Sequence, residues 1–116
     1  MSMLASLYPP LDWQAQRAQW PHSAHSTFVS TPAMRWHVQR MGEGPVLVLV
    51  HGTGASTHTW RDVMPLLAAH FHVVAVDLPG HGFSDPLRHG VASLPAVAQA
   101  LRDVLTQLNL QPDVWM

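Results

Sequence analysis

Apolar residues along the chain alternate between runs typical of buried strands and stripes typical of helices. The run Val46–Val50 is apolar and mostly β-branched, which predicts a strand buried on both faces, as in a parallel sheet. Val73–Val76 is a second such run. Between them, apolar residues recur at the spacing of one face of a helix: Trp60, Val63, Met64, Leu67, Ala68 and Phe71. We expect the regular part of this helix to begin near Pro65.

The segments before this unit predict an antiparallel pair of strands at residues 27–30 and 34–41, with a turn at Thr31-Pro32. In the second strand, apolar and polar residues alternate with the period of a strand that is buried on one face only: Met34, Trp36 and Val38 against Arg35, His37 and Gln39. Together with the parallel core, this predicts an α/β fold with a mixed, mostly parallel sheet flanked by helices.

The last third of the chain continues the alternation. Turn residues fill 78–86, Ser93 is expected to cap a helix, and Asn109 to end it in the left-handed conformation. Residues 113–116 predict the start of another strand. The apolar face of the helix is predicted to consist of Leu94, Val97, Leu101, Val104, Leu105 and Leu108.

Residues 1–26 are predicted to form an N-terminal arm, and residues 27–116 the N-terminal portion of a single domain. Asp12 would cap a short helix over residues 13–20 that carries Trp13 and Trp20 on one face. We favour packing of both indoles onto the domain. The alternative is a docking surface, since exposed tryptophans often anchor interfaces.

Composition removes several classes of function. The chain has 116 residues, of which 47% are hydrophobic, a net charge of −1 and no cysteine. It therefore predicts a domain with a real core, no disulfides and no basic face for nucleic acid. With no transmembrane run and no signal-peptide pattern, we expect a cytoplasmic protein. The nine histidines show no ligand spacing, so we expect neither a metal site nor a cofactor.

Two loops carry the candidate chemistry. His51-Gly52-Thr53-Gly54 directly follows the first buried strand, and Asp77-x-x-Gly80-x-Gly82-x-Ser84 follows the next one. Open α/β sheets bind ligands at the carboxyl ends of their strands, and glycine lets backbone approach a ligand closely. Backbone N–H groups fixed in such a loop stabilise the anionic oxygen that develops in acyl transfer.

In this order and on these elements, the two motifs resemble those of the α/β-hydrolase family. The resemblance implies that the Thr53 amide is one oxyanion-hole donor, in a loop shaped by Gly52 and Gly54. It also implies structural rather than reacting roles for the remaining motif residues: His51, Asp77, Gly80, Gly82 and Ser84. Asp77 and Asp85 are expected to hold loops through hydrogen bonds.

The family nucleophile stands in Gly-x-Ser-x-Gly, on a turn between a strand and a helix. No such pentapeptide occurs in this chain. The resemblance therefore implies an N-terminal portion truncated before the nucleophile elbow, with nucleophile, acid and histidine encoded downstream. We expect the full-length parent to be an enzyme and this chain alone not to be one.

Residues 20–23, 35–42 and 51–61 are also similar to one branch of the fold, the magnesium-chelatase accessory proteins of bacteriochlorophyll biosynthesis. Trp-His-Val-Gln and Gly-Thr-Gly-Ala-Ser-Thr-His are the most distinctive pieces. The similarity implies a protein of a photosynthetic bacterium that acts alongside magnesium insertion into protoporphyrin. Magnesium chelatase would then be a partner, and the substrate a small ester-like or porphyrin-related molecule.

Two alternatives stay open. Gly52-x-Gly54-x-x-Thr57, followed by Asp77 after the next strand, resembles a dinucleotide-binding fingerprint in which the acid binds ribose. Thr57 in place of a third small residue, and the two strands before Val46, count against it. The other alternative is a non-catalytic accessory or binding protein, because a fold does not fix a function.

Overall fold

A five-stranded mixed sheet organises the computed structural model, which describes residues 11–116. The strands are β1 (Ser26–Ser30), β2 (Arg35–Met41), β3 (Val46–Val50), β4 (His72–Val76) and β5 (Val114–Trp115). Their order across the sheet is β1-β2-β4-β3-β5. β2 pairs antiparallel with β1 and β4, whereas β3 pairs parallel with β4 and β5. The predicted α/β class and mixed sheet are confirmed.

The helices are α1 (Trp13–Gln16), α2 (Met64–Leu67) and α3 (Leu94–Gln107), with 3-10 turns at Ser23–His25 and Thr57–Trp60. Ser93 Oγ accepts a hydrogen bond from the Ala96 amide, and Asn109 is left-handed with φ of 59°, both as predicted. α2 is shorter than its apolar stripe. Its predicted start near Pro65 is confirmed, because the proline occupies the first turn.

The core lies on both faces of β3, as its unbroken apolar run predicts. Val48 packs towards α3, where Leu101, Val104 and Leu105 are buried, while Leu47 and Leu49 pack towards α2. The prediction is wrong at one position of the apolar face of α3. Leu94 is 83% exposed, since it lies in the first turn of the helix, before the turns that pack on the sheet.

The prediction that β2 has one solvent-exposed face holds at Arg35 but is wrong at His37 and Gln39. His37 and Gln39 are buried as completely as Trp36 and Val38 on the opposite face. The N-terminal segment covers the polar row, and Gln39 Nε2 donates to the Pro21 carbonyl at 2.8 Å. In this part of β2 the alternation therefore separates a buried polar face from a buried apolar face, and not a buried face from an exposed one.

The N-terminal segment is anchored through its aromatic rings. Asp12 accepts the predicted capping bond from Gln14 N, although α1 ends at Gln16 rather than at residue 20. The Trp13 and Trp20 rings both contact Phe83, with centroids 4.9 and 4.7 Å away. Residues 1–10 of the predicted arm lie outside the described residues, and the division into arm and domain stays a prediction.

Candidate active-site loops at the carboxyl edge of the sheet

The two glycine-containing loops meet at one edge of the sheet, because β3 and β4 are parallel neighbours with Val50 beside Val76. His51–Ser56 follows β3 and Asp77–Asp85 follows β4. The predicted site residues are thereby brought together in two adjacent loops, one exposed and one largely buried.

Asp77 is the buried hydrogen-bond centre of the second loop. Its Oδ1 accepts from the Thr57 amide at 2.7 Å, and its Oδ2 accepts from the Phe83 amide at 3.0 Å and from His37 Nδ1 at 2.6 Å. Both side chains of the His37–Asp77 pair are fully shielded from solvent. The carboxylate therefore joins strand β2, the β4 loop and the exit of the β3 loop.

The ionised form of Asp77 is favoured despite its burial. Burial alone would raise the pKa of this carboxyl, but the hydrogen bond from His37, those from the Phe83 and Thr57 amides and the nearby imidazole together outweigh it. The net result is a pKa below the ordinary value. Asp77 thus acts as a fixed acceptor and not as a proton donor at neutral pH.

Tight turning around this carboxylate depends on the next residues. Gly82 has φ of 51°, and a Cβ on it would overlap the Asp77 carboxylate. Ser84 Oγ donates to the Asp77 carbonyl at 2.6 Å and accepts from the His37 amide at 2.9 Å. Gly80 closes the turn by donating to the Asp85 carbonyl at 3.0 Å. The Asp85 side chain is exposed.

His51 joins the two loops. Its Nδ1 donates to the Gly52 carbonyl at 2.7 Å and its Nε2 accepts from the Leu78 amide at 3.0 Å, the pattern of a neutral imidazole. Both ring nitrogens are engaged by backbone. The ring therefore has no free lone pair with which to accept a proton from a nucleophile.

The β3 loop is held at both ends and open in the middle. His51 ties its entry to Leu78, and Thr57 ties its exit to Asp77. Within residues 11–116, the amides of Thr53 and Gly54 have no hydrogen-bond acceptor. Gly54 has φ of 82°, and a Cβ there would meet no atom within 4 Å. Two N–H groups that lack acceptors among residues 11–116 thus lie in an exposed loop at the rim of the sheet.

A largely apolar cleft of about 370 Å³ begins at Thr53. Leu78 and Pro79 form one side, and Leu94 and Val97 of α3 the other. Besides Thr53, the polar residue that lines it is His81, whose Nδ1 donates to the Pro79 carbonyl at 3.0 Å. A ligand in this cleft would have an apolar portion over the leucines and a polar end at the Thr53 loop.

His37, Ser26 and the cleft residue His81 are not among the site residues that the sequence predicts. Ser26 Oγ lies 2.8 Å from His37 Nε2, so that hydroxyl, imidazole and carboxylate are in the order of a serine triad. His37 is nevertheless fully buried and touches the Trp13 and Phe28 rings, which keeps any substrate away from its nitrogens. The sequence offers one signal for the His37–Asp77 pair: a histidine within one predicted strand and an aspartate directly after another. The two residues are 40 positions apart.

The geometry of Asp77 speaks against the dinucleotide interpretation, because both of its oxygens are engaged by the protein and neither faces solvent. Among residues 11–116, no three histidine or acidic side chains converge closely enough to bind a metal ion. No helix in the same range is long and apolar enough to cross a membrane.

Comparison with known proteins gives one consistent fold. Residues 45–115 match the family model for the alpha/beta hydrolase fold. The chain is 36% identical over 104 residues to the magnesium-chelatase 30 kDa subunit of Rhodobacter capsulatus, covering 88% of this chain and 37% of that protein. It is 48% identical over 71 residues to the pimeloyl-acyl-carrier-protein methyl ester esterase of Aeromonas salmonicida, covering 60% of this chain and 28% of the esterase.

The solved structure of an alpha/beta hydrolase fold protein from Burkholderia ambifaria superposes with a TM-score of 0.66 at 34% identity. The alignment covers 74% of this chain and 32% of that one. The chain thus spans about a third of the length of the proteins it matches.

Proposed function

Because this chain belongs to the α/β hydrolase fold family, we propose that the full-length protein is a serine-type hydrolase of small-molecule esters. In this proposal the Thr53 amide is one oxyanion-hole donor, and Gly52 and Gly54 give the loop its shape. The nucleophile, the acid and the catalytic histidine are supplied by residues after Met116. His51, Gly80, Gly82 and Ser84 keep the structural roles implied by the sequence.

The single observation that carries the proposal is the Thr53 amide, which has no acceptor in the described part of the chain and lies in a loop that is fixed at both ends. When a serine attacks an ester, the carbonyl oxygen becomes an alkoxide in a tetrahedral intermediate. A donor held in place beforehand stabilises that charge without reorganising as the charge develops. Asp77 and His51 provide this rigidity, one from each of the two loops.

The cleft beside Thr53 supports an apolar group next to the scissile carbonyl. Leu94 and Leu78 line the cleft, so a hydrocarbon chain bound there would be removed from water. We therefore propose that the preferred esters carry an uncharged aliphatic or aromatic group on the side of the carbonyl that faces this cleft.

The test replaces the amide itself in the full-length protein. Thr53→Pro removes the N–H, and we expect kcat on p-nitrophenyl butyrate to fall about 10²–10³-fold, the usual loss for one oxyanion donor. Thr53→Ala keeps the N–H and should stay within a factor of about three. If Thr53→Pro melts within a few degrees of the wild type and keeps its kcat, the proposed role of Thr53 is wrong.

A second candidate is a non-catalytic accessory role in magnesium insertion for bacteriochlorophyll biosynthesis. It is favoured by the similarity to the Rhodobacter chelatase subunit, which extends over 88% of this chain, more than the esterase similarity does. In that case the cleft would hold a porphyrin-related molecule or part of a chelatase.

A serine-directed fluorophosphonate probe separates the two candidates. Labelling of the full-length protein supports the hydrolase. A folded protein that is not labelled, yet binds purified magnesium chelatase or protoporphyrin with micromolar affinity, supports the accessory role.

A further inference from the structure

The His37–Asp77 pair is buried, and neither side chain is part of the lining of the cleft. We propose that His37 is a positioning residue: by fixing the Asp77 carboxylate, it sets the position of the Thr53 amide at the substrate oxygen. This inference rests on the proposed hydrolase function, which it deepens by naming a residue that acts on the reaction from behind the sheet edge.

The connection from His37 to the Thr53 loop begins at the Asp77 carboxylate, whose two oxygens accept hydrogen bonds from different parts of the chain. Asp77 Oδ1 holds the Thr57 amide, and Oδ2 is held by His37 Nδ1 and the Phe83 amide. A carboxylate has one torsion that orients both of its oxygens. Holding Oδ2 therefore also fixes Oδ1, and with it the residue at which the β3 loop ends.

The second step is that His37 cannot turn. The Trp13, Phe28 and Phe83 rings surround the imidazole with centroid distances of 5.0, 5.1 and 5.4 Å. Its far nitrogen lies 2.8 Å from Ser26 Oγ. The imidazole is thus an immobile donor, and the N-terminal segment that supplies Trp13 is part of the support of the oxyanion loop.

The third step is a contact from the same segment to the same loop exit. Trp20 Nε1 donates to Thr57 Oγ1 at 3.3 Å, and His22 Nε2 lies 2.6 Å from the Arg61 carbonyl, just beyond the 3-10 turn. The exit of the β3 loop is therefore held from Asp77 and from the N-terminal segment together.

A matched pair of variants of the full-length protein isolates the bond to Asp77. In His37→Asn, the amide nitrogen occupies the place of Nδ1 and keeps the donor to Asp77. In His37→Gln, the amide extends one atom further, towards Ser26, and that donor is lost. We expect His37→Gln to lower kcat at least tenfold with KM unchanged within a factor of two, and His37→Asn to restore kcat to within threefold of the wild type.

A readout independent of activity is the ¹H–¹⁵N spectrum. The Thr53 and Gly54 amide signals should shift in His37→Gln and stay at their wild-type positions in His37→Asn. If His37→Gln does not fold, Thr57→Pro takes its place. It removes the donor to Asp77 Oδ1, at the first position of a 3-10 turn, where proline is tolerated.

Equal loss of kcat in both His37 variants, in proportion to their melting temperatures, would overturn the positioning role. So would unchanged Thr53 and Gly54 signals in His37→Gln. If the signals shift as expected but the wild type hydrolyses no ester and takes up no fluorophosphonate, the connection from His37 to the loop is supported and the proposed hydrolase function fails.

Discussion

The loops after β3 and β4 have similar compositions and opposite structures. Both contain one histidine, two glycines and at least one hydroxyl residue, and both follow parallel strands at the same edge of the sheet. The loop after β4 turns inward around the fully buried Asp77, whose carboxylate and carbonyl are both paired. The loop after β3 is exposed, and its Thr53 and Gly54 amides lack acceptors among the described residues.

This difference shows how a small fold leaves donors available for a ligand. Unpaired amides in a mobile loop would be solvated in many orientations, and no ligand oxygen would find them already aligned. Here the exposed loop is tied to consecutive residues, Asp77 and Leu78, of the loop that is rich in hydrogen bonds. One loop supplies the rigidity and the other supplies the free donors.

The most direct test of this division of roles between the two loops removes Asp77, the buried centre of the β4 loop. Asp77→Ala leaves His37 and two buried amides without their acceptor, and we expect the free energy of unfolding to fall by about 3–5 kcal/mol. Asp85→Ala, eight residues further on at an exposed position, should change it by less than about 0.5 kcal/mol. Urea denaturation measures both, and similar losses in the two variants would contradict the central place of Asp77.

The second test asks whether the buried loop needs its glycine for space or only for backbone conformation. Gly82→Ala adds overlap with the Asp77 carboxylate to the strain of a left-handed residue, so we expect a loss of about 3 kcal/mol. Gly90 has φ of 78°, but an added methyl group would meet no atom within 4 Å, so Gly90→Ala should lose only about 1 kcal/mol. Equal losses would mean that the carboxylate moves aside freely.

The third test sharpens the role of the exposed side. Leu94→Asp places a charge in the cleft at a residue that is 83% exposed, and it should lower kcat/KM for p-nitrophenyl octanoate about tenfold while sparing the acetate. Leu66→Asp, at a leucine of α2 that is 72% exposed, is the control and should affect neither ester. If Leu94→Asp instead lowers the melting temperature strongly, other parts of the full-length protein cover the cleft.

The smallest expected change is a pH dependence. The folded state lowers the pKa of Asp77 below the ordinary 3.8, so its stabilising effect is complete above that value and is lost as the pH falls below it. The stability difference between the wild type and Asp77→Asn should therefore shrink as the pH falls from about 4 towards 2. A constant difference over that range would show that the charge of Asp77 contributes nothing.

The regular elements could be predicted because their signals are local. The apolar run of β3, the cap at Ser93 and the left-handed stop at Asn109 each depend on neighbouring residues, and the structure confirms them. The loops carrying Thr53 and Asp77 were found from motifs and from their position after buried strands. The oxyanion role of Thr53 stays a prediction.

The supporting network could not be predicted because its bonds join residues far apart in sequence. His37 and Gln39 follow a pattern that normally marks a solvent-facing row. Nothing within β2 indicates that Trp13 will pack on His37 or that the Pro21 carbonyl will accept a hydrogen bond from Gln39. The prediction for Leu94 is wrong in the opposite sense: it was expected to be buried and is exposed. Leu94 fits the apolar stripe of the helix but lies before the first turn that packs on the sheet.

The strand order has a consequence for synthesis on the ribosome. β2 pairs with β4 rather than with β3, the strand that follows it in the chain. Until residues 72–76 have left the exit tunnel, the β2 edge of the β1–β2 hairpin is unpaired, and His37 lacks the carboxylate that follows β4. During synthesis the His37 imidazole is therefore without the Asp77 carboxylate, and the Thr57 amide that ends the β3 loop is without its acceptor, until residue 77 has been translated.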